Sequence, residues 1–498
     1  MASRKTSEIA EFGDFQTPDE LAAQVVSLVH RLGVQPATVV EPSCGRGAFV
    51  AAAADEFPEA QIVGVDINEA YISICRNRVQ TRGNVSLSVG SFFDQDWVTL
   101  LSDLPNPLLI LGNPPWVTNA ELGLLGSNNL PVKSNFGKHK GLDAITGKAN
   151  FDISEWMLLR NLEWLEKKGG TLAVLVKTAV ARKILAHAWK SSFPLKEARI
   201  YRIDALSSFG AAVDACLFYI KVQHGTRTQE CSVFDGLESE EPSASFGFAD
   251  GKVISDMDAY RTHRYLYGVN PEFSWRSGIK HDCAKVMEFT RVDGALTNGH
   301  GEVVDIENTY LYPLFKSSDI GGVKQVRREK YVLVTQKFIG QETDSIAENA
   351  PKTWRYLLEH SAALDRRTSV IYRNKSRFSI FGVGEYTFAP WKIAISGLYK
   401  NLKFKLFGPI EGKPACFDDT VYFLSFDTEG EAKAVLELLE RPAAQEFLSS
   451  MVFWDEKRPI TVDVLKRLDI SKLISSGGAE YTLAHRKGRG TAQMVMSL

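Results

Sequence analysis

Long apolar runs are missing from this chain of 498 residues. Its best stretches, Ala48 to Ala54 and Leu108 to Leu111, fall far short of the ~18 to 20 residues that cross a bilayer. The opening MASRKTSEIAEFGDFQTP has early basic groups but no apolar segment behind them, so no secretory signal is expected and the cytoplasm is the expected location. Cysteine is scarce: the 6 present form no CxxC pair and have no histidine at zinc spacing, which excludes a disulfide framework and leaves no metal site to expect. An excess of charge is absent as well. Lys plus Arg number 58 against 60 Asp plus Glu, a net charge of −2 that by itself does not point to a polyanion. That balance hides some segregation, since residues 301–498 carry 28 basic and 25 acidic groups. What is present is an ordinary globular composition, 44% apolar and 24% charged, long enough for two large domains or three average ones.

The first 220 residues alternate short apolar runs with helical stretches, the rhythm of a parallel α/β sheet. Strands are expected at Thr38 to Glu41, Gln61 to Asp66, Val85 to Val89, Leu108 to Gly112, Thr171 to Lys177, Glu197 to Ile203 and Ala215 to Val222. Residues 1–225 thus read as one α/β domain, and residues 226–258, polar and acidic, as a linker or insertion. Residues 259–498 mix aromatic and β-branched stretches with a helix over Glu429 to Leu448, and read as a separate α+β domain.

The string Glu41-Pro42-Ser43-Cys44-Gly45-Arg46-Gly47 joins a strand to a helix start. Such a glycine turn lets a ligand approach the backbone near a helix N-terminus. At the end of the next strand, Val65-Asp66-Ile67 offers an acid able to accept hydrogen bonds from both hydroxyls of a ribose. The third glycine of a GxGxxG dinucleotide fingerprint is lacking, since Ala48, Phe49 and Val50 follow Gly47, so a nicotinamide cofactor loses ground.

A second constellation, Gly112-Asn113-Pro114-Pro115-Trp116, follows the apolar run at Leu108 to Leu111. An amide at a strand end followed by two residues without N–H groups makes a cluster of acceptors suited to an NH₂ group. The amine of adenine is a poor nucleophile because its lone pair is delocalised. Accepting its hydrogens at the Asn113 side chain and the Pro114 carbonyl aims that lone pair at a methyl sulfonium. Trp116 is a candidate surface for stacking the ring. Taken alone, Asn-Pro-Pro is also a common turn.

The EPSCGRG string has the form of the first motif of S-adenosylmethionine-dependent methyltransferases, and with NPPW some 70 residues later the sequence resembles the gamma-class, Taq-type N6-adenine DNA methyltransferases. That resemblance implies a Rossmann-like methyltransferase sheet with a C-terminal α+β target recognition domain, S-adenosylmethionine as cofactor, double-stranded DNA as partner and a base flipped out of the stack. It places Thr17 (in FQTP), Glu41, Ser43, Gly45, Gly47, Asp66, Ile67, Ser91, Phe92 and Asn113 around the cofactor, and Asn113, Pro114, Pro115, Trp116 and Phe209 around the target base. Ser91 departs from the family's usual acid, with Asp94 three positions on; Trp116 stands where Tyr or Phe is commoner. The bacterial cytoplasm or nucleoid is then the expected location, as the modification arm of a restriction–modification system or as a solitary enzyme, with a separate restriction endonuclease left open as a partner. Methylation of a protein glutamine or of an RNA amino group is the alternative, because NPPY-type motifs serve those NH₂ groups too.

Duplex recognition needs cations for phosphates and Arg or amides for base edges. The basic clusters Lys324, Arg327, Arg328 and Arg373, Lys375, Arg377 are the candidates in the C-terminal half, with a solvated surface as the plain alternative. The polar segment Ser127 to Asn150 is a candidate lid over the site, its length favouring function.

Overall fold

A computed structural model describes residues 15–117, 152–270, 272–322 and 329–476. The chain divides into two compact units, Met1–Asp256 and Met257–Leu498.

In the first unit, helix α1 (Asp19–Arg31) leads into β1 (Thr38–Glu41), α2 (Ala48–Glu56), β2 (Gln61–Asp66), α3 (Glu69–Arg78), β3 (Val85–Val89), α4 (Trp97–Ser102) and β4 (Leu108–Gly112). After residues 118–151 come α5 (Ile153–Lys168), β5 (Gly170–Lys177), α6 (Thr178–Lys190), β6 (Leu195–Ile203), α7 (Ala205–Phe209) and β7 (Ala215–Val222). Three more strands, β8 (Glu230–Phe234), β9 (Ala244–Ala249) and β10 (Lys252–Ile254), complete one sheet in the order β10-β9-β8-β6-β7-β5-β4-β1-β2-β3. The central run β5-β4-β1-β2-β3 is parallel, and β7 pairs antiparallel with both β5 and β6.

Burial explains the sequence pattern. The central strands β1 and β4 are buried at every position, which is why they read as unbroken apolar runs rather than alternations. The edge strand β3 (VSLSV) is largely exposed or half-buried, and it alone alternates serine with apolar residues. Helix α1 buries Leu21, Ala22, Val25, Val26, Leu28 and Val29, one apolar stripe, against the core shared with Leu109 and Leu111. In such a core a Leu→Ala change costs ~2–5 kcal/mol.

Of the two readings of residues 226–258, linker or insertion, the linker does not hold. Strand β8 adds parallel to β6 and β9 and β10 extend the same sheet, so this polar stretch closes off an edge that β6 would otherwise expose. Its strands are short and half-exposed, which kept their periodicity weak in the sequence.

The second unit is α+β. One antiparallel sheet orders β11 (Arg276–Ser277), β19 (Val421–Phe426), β16 (Trp391–Ser396) and β17 (Phe404–Phe407). The other orders β13 (Ala295–Asn298), β12 (Glu288–Val292), β15 (Glu329–Leu333), β14 (Leu311–Phe315) and β18 (Cys416–Phe417). The helix expected over Glu429 to Leu448 is two, Glu429–Leu439 and Pro442–Ser449. Pro442 cannot donate within a helix but suits a first turn, so it starts the second one. Among the described residues no helix is long and apolar enough to cross a membrane.

Candidate active site

The site lies at the carboxyl ends of β1, β2 and β4, where the strand order reverses and an open α/β sheet leaves a crevice. The loop after β1 folds onto the end of β2: the Cys44 N–H donates to the Val65 carbonyl at 2.9 Å, and the Gly45 N–H donates to Asp66 Oδ2 at 2.7 Å. Asp66 Oδ1 accepts the Asn68 N–H at 2.8 Å. Asp66 therefore organises the turn that it faces, and a carboxylate oxygen can accept more than one hydrogen bond.

Two glycines of the motif have different reasons to be glycine. Gly45, at φ +50°, sits against the Gln16 amide, whose Oε1 accepts the Arg46 N–H at 3.1 Å. Gly47, at φ +81°, lies so close to helix α3 that a Cβ would stand 2.2 Å from the Cys75 sulfur. Its role is to let α2 and α3 pack, and it does not line the cavity.

The resulting cleft encloses about 740 Å³. Of the residues expected at the cofactor, Thr17, Glu41, Ser43, Gly45, Asp66, Ile67, Phe92 and Asn113 line it, as do Gln16 of the same FQTP motif and Tyr71, Phe93, Ile153 and Met157, which the sequence reading did not single out. Neither Ser91 nor Asp94 lines it. Ser91 Oγ instead accepts the Phe93 N–H at 3.2 Å, bracing the turn that presents both phenylalanines. Phe92 backs onto an aromatic cluster with Trp97, Trp156 and Trp164, with centroids 5.5, 5.8 and 5.7 Å away.

Among the described residues, two side-chain oxygens in this cleft have no hydrogen-bond partner. Glu41 is 3% exposed, its Oε2 has no hydrogen-bond partner, and burial, with Cys75 and Asp66 adding repulsion, pushes its carboxyl well above the usual carboxylate range. The second is Asn113 Oδ1, buried and without a partner. The Asn113 nitrogen donates to the Phe15 carbonyl at 3.0 Å and to Thr17 Oγ1 at 3.3 Å. Because a backbone carbonyl can only accept, this contact turns the amide so that its oxygen is left facing away, ready for a donor.

Beside Asn113 the chain continues through Pro114, Pro115 and Trp116. Pro115 and Val117 line the cleft; Pro114 and Trp116 do not. The Trp116 indole is 5% exposed, its Nε1–H donates to the Leu175 carbonyl at 3.3 Å, and it packs on Phe15 and Phe209 with centroids 5.6 and 5.1 Å away. An open stacking face on Trp116 was the expectation; here the ring is inside the core and Phe209 meets it edge-on at 72°. The contact leaves no room for a base between the two rings.

The sequence reading also overlooked Lys177, at the end of β5. Its Nζ donates to the Trp116 carbonyl at 3.0 Å and to Asp152 Oδ2 at 2.7 Å. A charged residue closing the strand next to the one that ends in Asn113-Pro114-Pro115-Trp116 is the signal that would have found it.

In the second unit, Arg373 and Lys375 are exposed, as a phosphate ligand must be. Arg377 instead is bound to Asp365, its Nε donating at 2.9 Å, which makes it a poor phosphate ligand. Lys324, Arg327, Arg328 and the segment Ser127 to Asn150 lie outside the described residues.

The strand order, the switch-point cleft and the acceptor motif beside it define a Rossmann-like methyltransferase, and residues 39–99 match the family model of a methyltransferase domain. The chain is 47% identical to the type II methyltransferase M.NspV of Nostoc sp. over 466 residues, 93% of this chain and 97% of that protein. It therefore belongs to the type II DNA methyltransferases, which are S-adenosylmethionine-dependent. The type II methyltransferase M.XamI of Xanthomonas campestris pv. amaranthicola shares 28% identity over 111 residues, 22% of this chain and 21% of that one. A solved DNA complex of the type IIL restriction–modification enzyme MmeI superposes with a TM-score of 0.49 at 10% identity, covering 94% of this chain and 72% of that one.

Proposed function

We propose that this enzyme methylates the N6 amine of an adenine flipped out of duplex DNA. The observation that carries the reading is Asn113 Oδ1, buried and without a hydrogen-bond partner among the described residues, while the nitrogen end of the amide is taken by the Phe15 carbonyl. A buried acceptor left unpaired costs ~1–3 kcal/mol, which an arriving N–H recovers.

The residues of the cleft fit the cofactor. The Glu41 carboxylate, with its Oε2 unpartnered among the described residues, suits the ammonium of the methionine moiety, Asp66 the ribose hydroxyls, and Ile67, Phe92 and Phe93 the adenine ring. When bound, S-adenosylmethionine supplies a methyl group on a positively charged sulfur. Asn113 Oδ1 accepts one hydrogen of the target amine, and the Pro114 carbonyl the other. Holding both hydrogens draws the nitrogen towards tetrahedral geometry and frees its lone pair for attack, with the acceptors fixed in place before the charge develops. No strong base is needed, because the methylated amine is acidic while it carries the extra proton. A base stacking on Trp116 has to displace Phe209, which sits on the short helix α7 ahead of the left-handed Gly210. Sequence recognition falls to the second unit, with Arg373 and Lys375 as phosphate ligands, and the enzyme serves as the modification arm of a restriction–modification system.

Nucleoside mass spectrometry of DNA from cells expressing the chain tests the reading. N6-methyladenine is expected; N4-methylcytosine, or methyl groups in RNA or protein instead, would refute it.

A further inference from the structure

The ladder that holds β4 stops at Gly112, paired with Val174, whereas β5 runs on to Lys177, paired with Ala215 of β7. The residues that follow Gly112 therefore lie beyond the hydrogen-bonded part of their strand. Pro114 and Pro115 cannot donate an N–H, so sheet pairing is not available to fix the backbone just where Asn113 must be placed accurately. Side chains and helix ends take over. The Val117 carbonyl accepts the Ile153 N–H at 2.9 Å, and the Trp116 carbonyl accepts Lys177 Nζ at 3.0 Å.

Lys177 is itself held. Asp152 Oδ2 accepts from Nζ at 2.7 Å, while Asp152 Oδ1 accepts the Ser154 N–H at 3.1 Å and the Ser154 hydroxyl at 2.5 Å, capping helix α5. The Asp152 side chain is 8% exposed and that of Lys177 26%. One carboxylate thus ties the start of α5 to an ammonium, and the ammonium ties β5 to the reaction motif. Charge-assisted bonds of this kind are shorter and roughly twice as strong as neutral ones.

We propose that Lys177 is a positioning residue for methyl transfer, replacing the missing ladder by gripping the Trp116 carbonyl so that Asn113, three residues earlier, presents its oxygen to the target amine. A displacement of about 1 Å in a catalytic group can cost on the order of 10²-fold in rate. The proposal rests on Asn113 as the amine acceptor.

The test uses the full chain, S-adenosylmethionine and a duplex that the wild type methylates, under single-turnover conditions. Lys177→Met should lower the transfer rate about 10- to 100-fold, with the S-adenosylmethionine dissociation constant and the KM for DNA within about 3-fold of wild type. Lys177→Arg, which restores a cationic donor, should recover most of the rate. In an Asn113→Ala background, Lys177→Met should cost less than it does in the wild type, because one of the two acceptors held by the Trp116 grip is already gone. A wild-type rate in Lys177→Met overturns the proposal. So do multiplying effects in the double variant, or a raised KM for DNA with a flatter salt dependence, which marks a phosphate ligand. If Lys177→Met does not fold, Asp152→Asn, which loosens the anchor but leaves the lysine in place, decides by the same split between rate and binding. A full rate in Asn113→Ala alone would overturn the acceptor reading; a slow Asn113→Ala beside a fast Lys177→Met would overturn only the role of Lys177.

Discussion

The side-chain nitrogen of Asn113 donates to the backbone carbonyl of Phe15 at 3.0 Å across 98 positions of sequence, and this bond fixes which end of the amide the proposed mechanism turns to the target amine. Phe15 contributes twice, since its ring also packs on Trp116 with centroids 5.6 Å apart. The segment before α1 thereby lines the cleft and touches the Asn113 motif.

Asn113→Ala leaves the strand and both prolines in place and removes one of two fixed acceptors. Methyl transfer should fall ~10²- to 10³-fold, while S-adenosylmethionine and DNA binding survive. Thr17→Val, which removes the longer 3.3 Å contact but keeps the Phe15 carbonyl, should have a much smaller effect in the same single-turnover assay.

Glu41 and Asp66 should separate in calorimetry. Asp66→Ala removes the carboxylate proposed to accept the ribose hydroxyls together with its bond from the Gly45 N–H, and should lower cofactor affinity about tenfold or more. For Glu41, burial favours the protonated carboxyl and the cofactor's ammonium favours the ionised one. Binding should therefore release protons, and affinity should rise as pH climbs through the raised pKa. Titrations in buffers of different ionisation enthalpy measure that release, which Glu41→Gln should abolish.

Trp116→Ala should unfold the site rather than merely unstack a base. The indole is buried and bonded to the Leu175 carbonyl, so truncation should cost ~3–5 kcal/mol, visible as a large drop in melting temperature. Phe209→Ala leaves a half-buried position and should spare stability while altering the 2-aminopurine fluorescence of a flipped target base.

A chain ending at Asp256 should fold and bind S-adenosylmethionine but lose site-specific DNA binding. One ending at residue 225 lacks β8, β9 and β10 and exposes the long edge of β6, so it should aggregate. Circular dichroism and light scattering distinguish the two, and a soluble, folded shorter chain would show that the three strands are dispensable.

Glu307 makes acid stability of the second unit testable. Burial works to raise its pKa, but hydrogen bonds from the Thr353 hydroxyl and from the Lys352 and Thr353 N–H groups, at 2.7, 2.8 and 2.8 Å, bring it down to about 2. It accepts from the first turn of the helix Pro351–Glu359, where donors lack partners. A carboxylate with a depressed folded pKa contributes stability above its ordinary value and loses it as pH falls towards the folded one. Glu307→Gln should thus cost on the order of 1 kcal/mol at neutral pH, with the difference vanishing as pH drops from the ordinary carboxylate range towards about 2.

Much of the catalytic unit was legible in its residues. Strand β1 and helix α2 lie where the apolar run and the glycine turn put them, because both are determined within a few residues. That Asn113 and Asp66 line the cleft was legible from an amide before two prolines at one strand end and an acid at the next, while their roles there belong to the proposed mechanism. The strands over residues 230–254 stayed hidden because they are short, half-exposed and held by pairing with β6, a partner far away in sequence.

What the sequence determined by itself was therefore the list of chemical groups, the order in which the strands deliver them, and a family resemblance resting on motifs local enough to read. Which groups face the cleft was decided only by tertiary structure. Gly47 turned out to serve helix packing, Ser91 a turn, and Trp116 the core, while Lys177 came to hold the Trp116 carbonyl. The physical reason is range. A turn or a strand is encoded by neighbouring residues, but burial and hydrogen-bond partners are set across the sheet, where Asn113 meets Phe15 and Trp116 meets Lys177 only after the chain has folded.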